Sequence, residues 1–196
     1  MTPTASNSLS HTIHAVFLDR DGVINRKLPE GCYITRREEF ELLDGVADSI
    51  ARLNRAGLLV IVVTNQRGIA RKRMTLDTLN TVHAALQNEL AASGAHLDSI
   101  FVCPHGKDEC DCRKPLPGLF HQAQARFPQI EAATSVMIGD SLSDIEFGRN
   151  LGMATICVQP ETEHPSPGAD MAAAIADFCA PSLPDAVDKL LNLFLH

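Results

Sequence analysis

A chain of 196 residues (21.2 kDa) that is 45% hydrophobic and 21% charged can support its own core, which excludes both a disulfide-stapled miniprotein and a charge-rich disordered chain. The net charge of −7, the absence of Trp and the single Tyr exclude the basic, aromatic surface that nucleic acid requires, and leave a small molecule as the expected partner. The longest apolar run, Ala56 to Val63, is far shorter than the roughly 20 residues that span a bilayer, and the first Lys or Arg is Arg20, so neither a membrane segment nor a secretory signal is expected.

After a polar tail over 1–12, read as disordered, residues 13–196 read as one domain. His14–Asp19 is an apolar run that stops at charge and predicts the first strand. Val46, Ile50 and Leu53 share a helix face, with Gly57 as its C-terminal stop. Leu58–Val63 is rich in β-branched residues and predicts a second strand. Thr75 suits the N-cap of a helix whose inner face is Leu76, Leu79, Val82, Leu86 and Leu90, with Gly94 beyond its end. Ser99–Cys103 is a third strand. Pro117 suits the first turn of a helix carrying Leu119, Phe120 and Phe127. Ser135–Gly139, a helix over 142–151 closed by Gly152, and Met153–Val158 follow. Residues 164–168 read as a local loop, and 183–195 as a last helix with Val187, Leu190, Leu191 and Phe194 inward. Continuous apolar strands alternating with helices imply a parallel sheet buried on both faces: an α/β, three-layer Rossmann-like sandwich.

Charged and polar residues gather where the predicted strands end. Asp19 and Asp21 close the first strand two residues apart; carboxylates so placed repel unless a divalent cation lies between them. An EF-hand is excluded, because Val23 and Ile24 stand where that loop needs Asp or Asn followed by Gly. Thr64 and Asn65 close the second strand and can hold an anionic oxygen. Arg113-Lys114-Pro115 precedes the third helix. Ile138-Gly-Asp-Ser-Leu-Ser-Asp144 closes the fourth strand, placing Asp140 to reach the metal and Asp144 to pair with Lys114.

In the order Asp-x-Asp, Thr, Lys, Gly-Asp-x-x-x-Asp, these residues resemble the haloacid dehalogenase superfamily of phosphotransferases over about residues 14–158. The resemblance implies that Asp19 is the nucleophile and Asp21 the general acid and base. It makes Thr64 and Lys114 ligands of the phosphoryl oxygens, and Asp19, Asp21 and Asp140 the magnesium site. A carboxylate attacking phosphorus gives an aspartyl phosphate, and attack on a dianion requires charge neutralisation from Mg²⁺ and Lys114. A carboxyl at position 21 favours rapid hydrolysis of that intermediate, hence a phosphatase.

Cys103, His105, Cys110 and Cys112 form Cys-x-His-x₄-Cys-x-Cys, four soft ligands in one loop. Three thiolates and an imidazole close a tetrahedral Zn²⁺ shell, so this metal is read as structural, pinning the loop that ends two residues before Lys114. Cys32, Cys157 and Cys179 read as unpaired, which suits a reducing cytoplasm.

Asp21 to Asp44 spans 23 positions and Cys103 to Lys114 spans 11, too few for a cap domain of at least about 50 residues. An open site walled by loops 23–40, 66–74 and the zinc loop is expected. Its basic rim is Arg26, Lys27, Arg67, Arg71, Lys72, Arg73 and Arg113. This capless form, with Asn65-Gln-Arg-Gly-Ile-Ala-Arg71 and the cysteine string, is similar to a subfamily of heptose 1,7-bisphosphate 7-phosphatases and histidinol-phosphate phosphatases, closer to the former. The similarity implies that Asn65, Gln66 and Arg113 bind substrate, a sugar bisphosphate; Ser141 stands where some heptose enzymes have Lys. A monomer is expected. The alternatives are histidinol phosphate as substrate, or a non-catalytic phosphometabolite-binding module, whose mark would be a lost Asp19, Asp21 or Lys114; all three are present.

Overall fold

The computed structural model describes residues 13–160 and 164–194, with the backbone alone at 194. The expected 1–12 tail and the inward side chain of Phe194 lie outside the described residues. Six strands form one parallel sheet: β1 (Ala15–Leu18), β2 (Leu59–Asn65), β3 (Ser99–Cys103), β4 (Ser135–Gly139), β5 (Ala154–Val158) and β6 (Phe178–Ala180), in the order β3-β2-β1-β4-β5-β6. The helices are α1 (Val46–Arg55), α2 (Leu76–Ala92), α3 (Gly118–Arg126), α4 (Leu142–Leu151), α5 (Ala169–Ile175) and α6 (Leu183–Phe194).

Side chains alternate across each strand, so the sheet carries two cores. Val16 and Leu18 face Ile50 and Leu53 of α1, Leu86 and Leu90 of α2, and Val187 and Leu190 of α6. Ala15 and Phe17 face Leu119 and Phe120 of α3 and Phe147 of α4; the Phe17 and Phe120 ring centroids are 5.7 Å apart. Every residue of β1 is buried, as a strand with helices on both faces must be. The predicted strands and helices are all present, within two residues at their ends.

The expectations differ from the fold in three places. Leu76 is 52% exposed, because α2 packs on the core from Leu79 onward and its first turn is left in solvent. Thr75 does cap that helix, its hydroxyl accepting from the Thr78 N–H at 3.1 Å. β6 and α5 were not expected: β6 has three residues, too few to show a period, and α5 is a seven-residue Ala-rich turn without an apolar stripe. Among the described residues no helix is long and apolar enough to cross a membrane.

Candidate active site

β1 lies between β2 and β4, and all strands run the same way, so three carboxyl ends open side by side where the strand order reverses. That switch point is where open α/β sheets bind ligands. Asp19 follows β1 directly, Thr64 and Asn65 end β2, and Asp140 follows β4. Register Leu18↔Val62 and Leu18↔Ile138 puts these ends at one height.

Lys114 reaches this junction from the loop between β3 and α3. Its Nζ donates to Asp19 Oδ1 and to the Val63 carbonyl, each at 2.6 Å, and pairs with Asp144 Oδ1 at 2.6 Å. The residue is only 3% exposed. Burial alone would lower its pKa; the two carboxylates outweigh that and raise it, so Lys114 is a fixed cation. Asp144 is itself held by the first turn of α4, where it accepts from the Ser141 N–H at 3.1 Å and the Ser141 hydroxyl at 2.6 Å. The expected Asp144–Lys114 pairing is therefore present, through a capping box.

Asp21 points elsewhere. Arg20, buried at 1% exposure, forks onto it through Nη2 at 2.8 Å to both oxygens and Nε at 3.2 Å. Asn25 Nδ2 donates to Asp21 Oδ1 at 3.0 Å and Gln66 Nε2 to Oδ2 at 2.8 Å. Burial would raise the Asp21 pKa, but Arg20 and these donors bring it below the usual carboxylate range. Arg20 Nη1 also lies 3.0 Å from His83 Nε2 on α2, and burial together with that guanidinium lowers the His83 pKa to about 4, keeping the ring neutral. Arg20, Asn25 and His83 were missed from sequence. The Arg20 signal was an Arg between two Asp residues; His83 gave none, lying on an apolar helix face like any core histidine.

The side-chain oxygens of Asp19, Asp140 and Asp144 lie within 4.8 Å of one another. The Asp21 carboxylate is held by Arg20, Asn25 and Gln66. Burial, with Asp144, Asp140 and Asp21, pushes the Asp19 pKa up to about 7 against the pull of Lys114. Asp140 Oδ1 is buried and has no hydrogen-bond partner, while its Oδ2 accepts from Lys27 Nζ at 3.1 Å and from the Ser166 hydroxyl. An orphaned carboxylate oxygen beside two further acids is a donor set that fits a hard divalent cation. Gly22, at φ +97°, packs against this carboxylate; a Cβ there would lie 2.2 Å from Asp140 Oδ2.

The second cluster lies behind the first. Cys103 Sγ is 3.6 Å from Cys110 Sγ and 3.9 Å from His105 Nδ1, and Cys112 Sγ is 3.3 Å from both. A tetrahedral zinc with Zn–S bonds of about 2.3 Å has S···S edges of about 3.8 Å, so the four groups fit a zinc ion. Cys103 ends β3, and Cys103 and Cys112 are buried against the Phe120 core. Gly118 closes the loop from below, its N–H donating to the Asp111 carbonyl at 3.0 Å, where a Cβ would lie 2.7 Å from that oxygen.

A cavity of about 490 Å³ opens over Asp19, Asp21, Lys114 and Asp140. Of the expected rim cations only Lys27, Arg67 and Arg113 line it. Arg26 instead pairs with Glu41 in solvent, Arg71 donates to the Tyr33 hydroxyl at 3.3 Å, and Lys72 and Arg73 are solvated. The walls are residues 27–34, the β2 end through Arg67, Arg113-Lys114, and the α4 start with Glu146 and Pro167; residues 68–74 and the cysteine stretch do not reach it. The guanidinium groups of Arg67 and Arg113 make no hydrogen bond or ion pair among the described residues, and Arg113 Nη1 is buried. Asn65 and Gln66 line the cavity, but their amides are engaged with the protein. Gln66 Nε2 donates to Thr64 Oγ1 as well as Asp21, and Asn65 pairs with the Lys114 backbone.

A family model described as HAD-hydrolase-like matches residues 111–186. The D-glycero-alpha-D-manno-heptose-1,7-bisphosphate 7-phosphatase of Mycobacterium tuberculosis is 41% identical over 140 residues, 71% of this chain and 73% of its own. The D-glycero-beta-D-manno-heptose-1,7-bisphosphate 7-phosphatase of Escherichia coli is 34% identical over 189 residues, covering 92% and 97%. The crystal structure of the D,D-heptose 1,7-bisphosphate phosphatase of Bordetella bronchiseptica, complexed with magnesium and phosphate, superposes with a TM-score of 0.81 at 33% identity, over 92% of this chain and 99% of that one. With the strand order, the acid triad and the buried lysine, these likenesses show that the chain belongs to the heptose-bisphosphate phosphatase family of haloacid dehalogenase-like hydrolases.

Proposed function

We propose that this phosphatase hydrolyses the C7 phosphate of a D-glycero-D-manno-heptose 1,7-bisphosphate with Mg²⁺, Asp19 being the nucleophile. The observation that carries the reading is the pairing of a buried Asp19–Lys114 contact with two unpaired arginines on the same cavity. One anionic group meets Lys114 and Thr64, and a second meets Arg113 and Arg67. Histidinol phosphate has one phosphate and a cationic amine, which two free guanidinium groups would repel; the bisphosphate matches them in sign and number.

Asp19 Oδ1 is held by Lys114, which leaves Oδ2 to attack phosphorus as the P–O bond to C7 breaks. Asp21 takes up a proton from solvent as the dianion binds and gives it to the leaving oxygen, then takes one from the water that cleaves the aspartyl phosphate. Arg20, Asn25 and Gln66 keep Asp21 ionised at rest, ready for the second transfer, and the incoming dianion opposes them by raising its proton affinity. Asp19 and Asp140 would hold Mg²⁺, which when bound neutralises phosphoryl charge. The zinc loop holds Lys114 in place.

Two results test the reading. Chelation by EDTA should stop turnover quickly and added Mg²⁺ should restore it, with zinc lost more slowly from its thiolates; full activity after prolonged chelation would refute the magnesium role. Arg113→Ala should lower kcat/KM for the heptose bisphosphate by about 10- to 100-fold more than for p-nitrophenyl phosphate, since the remote phosphate supplies binding energy that orients the reacting one. Equal losses would leave Arg113 without a role at the second phosphate, and a preference of the wild type for histidinol phosphate would overturn the substrate.

A further inference from the structure

Asn65 ends β2 and is paired in register with Cys103, the first residue of the zinc loop. Its side chain turns to the other end of the same loop. The amide Oδ1 accepts from the Lys114 N–H at 3.0 Å, and Nδ2 donates to the Lys114 carbonyl at 3.1 Å. A primary amide presents one acceptor and one donor side by side, so it can replace a neighbouring strand for a single residue. The loop over 103–114 is thereby held at both ends by one residue of β2. Next in the chain, Gln66 donates its N–H to the Cys103 carbonyl at 2.8 Å, reinforcing the same root.

The Lys114 backbone has no sheet partner of its own, since it follows the zinc loop and precedes α3. Its Nζ must meet Asp19, Asp144 and the Val63 carbonyl together, and a shift of the backbone moves that nitrogen away from all three. We infer that Asn65 is a positioning residue for Lys114, acting through its backbone, rather than a ligand of the sugar. This rests on the reading of Lys114 as the phosphoryl ligand. The Asn side chain is required by reach and by its paired donor and acceptor: Ala offers neither, and Asp keeps the acceptor but faces the Lys114 carbonyl with a second oxygen.

The test is kinetic, on a heptose 1,7-bisphosphate and on p-nitrophenyl phosphate in parallel. Asn65→Ala should lower kcat by about 10- to 100-fold on both substrates, as expected for a catalytic group displaced by about an ångström, with KM for the sugar changed less than about threefold. Asn65→Asp should fall between wild type and Asn65→Ala. In a double-mutant cycle, Asn65→Ala should cost less than about twofold in a Lys114→Ala background. Zinc content near one per chain in each variant establishes that the loop is formed. A KM rise above tenfold on the sugar with p-nitrophenyl phosphate spared, an Asp variant worse than Ala, or additive losses in the cycle would each overturn the inference and make Asn65 a substrate ligand. If the wild type cleaves p-nitrophenyl phosphate but no heptose bisphosphate, the substrate reading fails while the cycle still decides on Asn65. If Lys114→Ala keeps full activity, the role of Lys114 fails and the inference with it.

Discussion

Asp19→Asn is expected to lower kcat by at least about a thousandfold, because an amide oxygen cannot form the aspartyl phosphate on which both chemical steps depend. The fold should be kept. Asn Oδ1 can still accept from Lys114, which retains Asp144 at 2.6 Å and the Val63 carbonyl at 2.6 Å. The substitution also removes one of three crowded, buried acids, and burial makes the charge on Asp19 costly, as its pKa near 7 shows. The melting midpoint should therefore hold or rise while activity disappears, a local trade of stability for function. Rapid-quench trapping should detect a phosphoenzyme in the wild type and none in the variant. Residual activity within tenfold of wild type would exclude Asp19 as the nucleophile.

Cys110→Ser is expected to lower stability and activity together. The purified wild type should carry about one zinc per chain, since three thiolates and an imidazole close the shell. Removing one thiolate should bring the content close to zero. Losing a structural metal site of about 3 kcal/mol lowers the melting midpoint of a chain this size by about 6–12 °C. Lys114 lies two residues beyond Cys112, and Asn65 holds the loop over 103–114 only at its two ends, so loss of the metal should loosen the stretch between them and kcat should fall by about 10- to 100-fold. Zinc-free wild-type protein, freshly prepared and reduced, would count against the site, and so would a Cys110→Ser variant with unchanged metal content and melting.

The architecture was legible because its signals are local. Strands buried on both faces must be continuously apolar, and Ala15–Leu18, Leu59–Val63 and Val136–Gly139 are; helix ends announce themselves at Thr75, Gly57 and Gly152. Short elements without a repeat, β6 and α5, left no such mark, and Leu76 kept the periodicity of a core residue in a turn that overhangs the core. Residue type and spacing likewise determined which groups could do chemistry: Asp19, Asp21, Lys114, Asp140 and the Cys–His string all stand at strand ends or in one loop. Direction was decided by the tertiary structure. Asp19 and Asp21 stand two residues apart, yet the fold gives them different partners: Asp19 meets Lys114, and Asp21 meets the buried fork of Arg20, itself met by His83 from 63 positions away. Asn65 and Gln66 look like two free amides over a cavity, and the fold engages one with Lys114 and the other with Asp21. Of seven candidate rim cations, three line the cavity and two remain unpaired. A hydrogen bond depends on which partners the fold brings within about 3 Å, and the spacing of residues along a chain does not contain that distance.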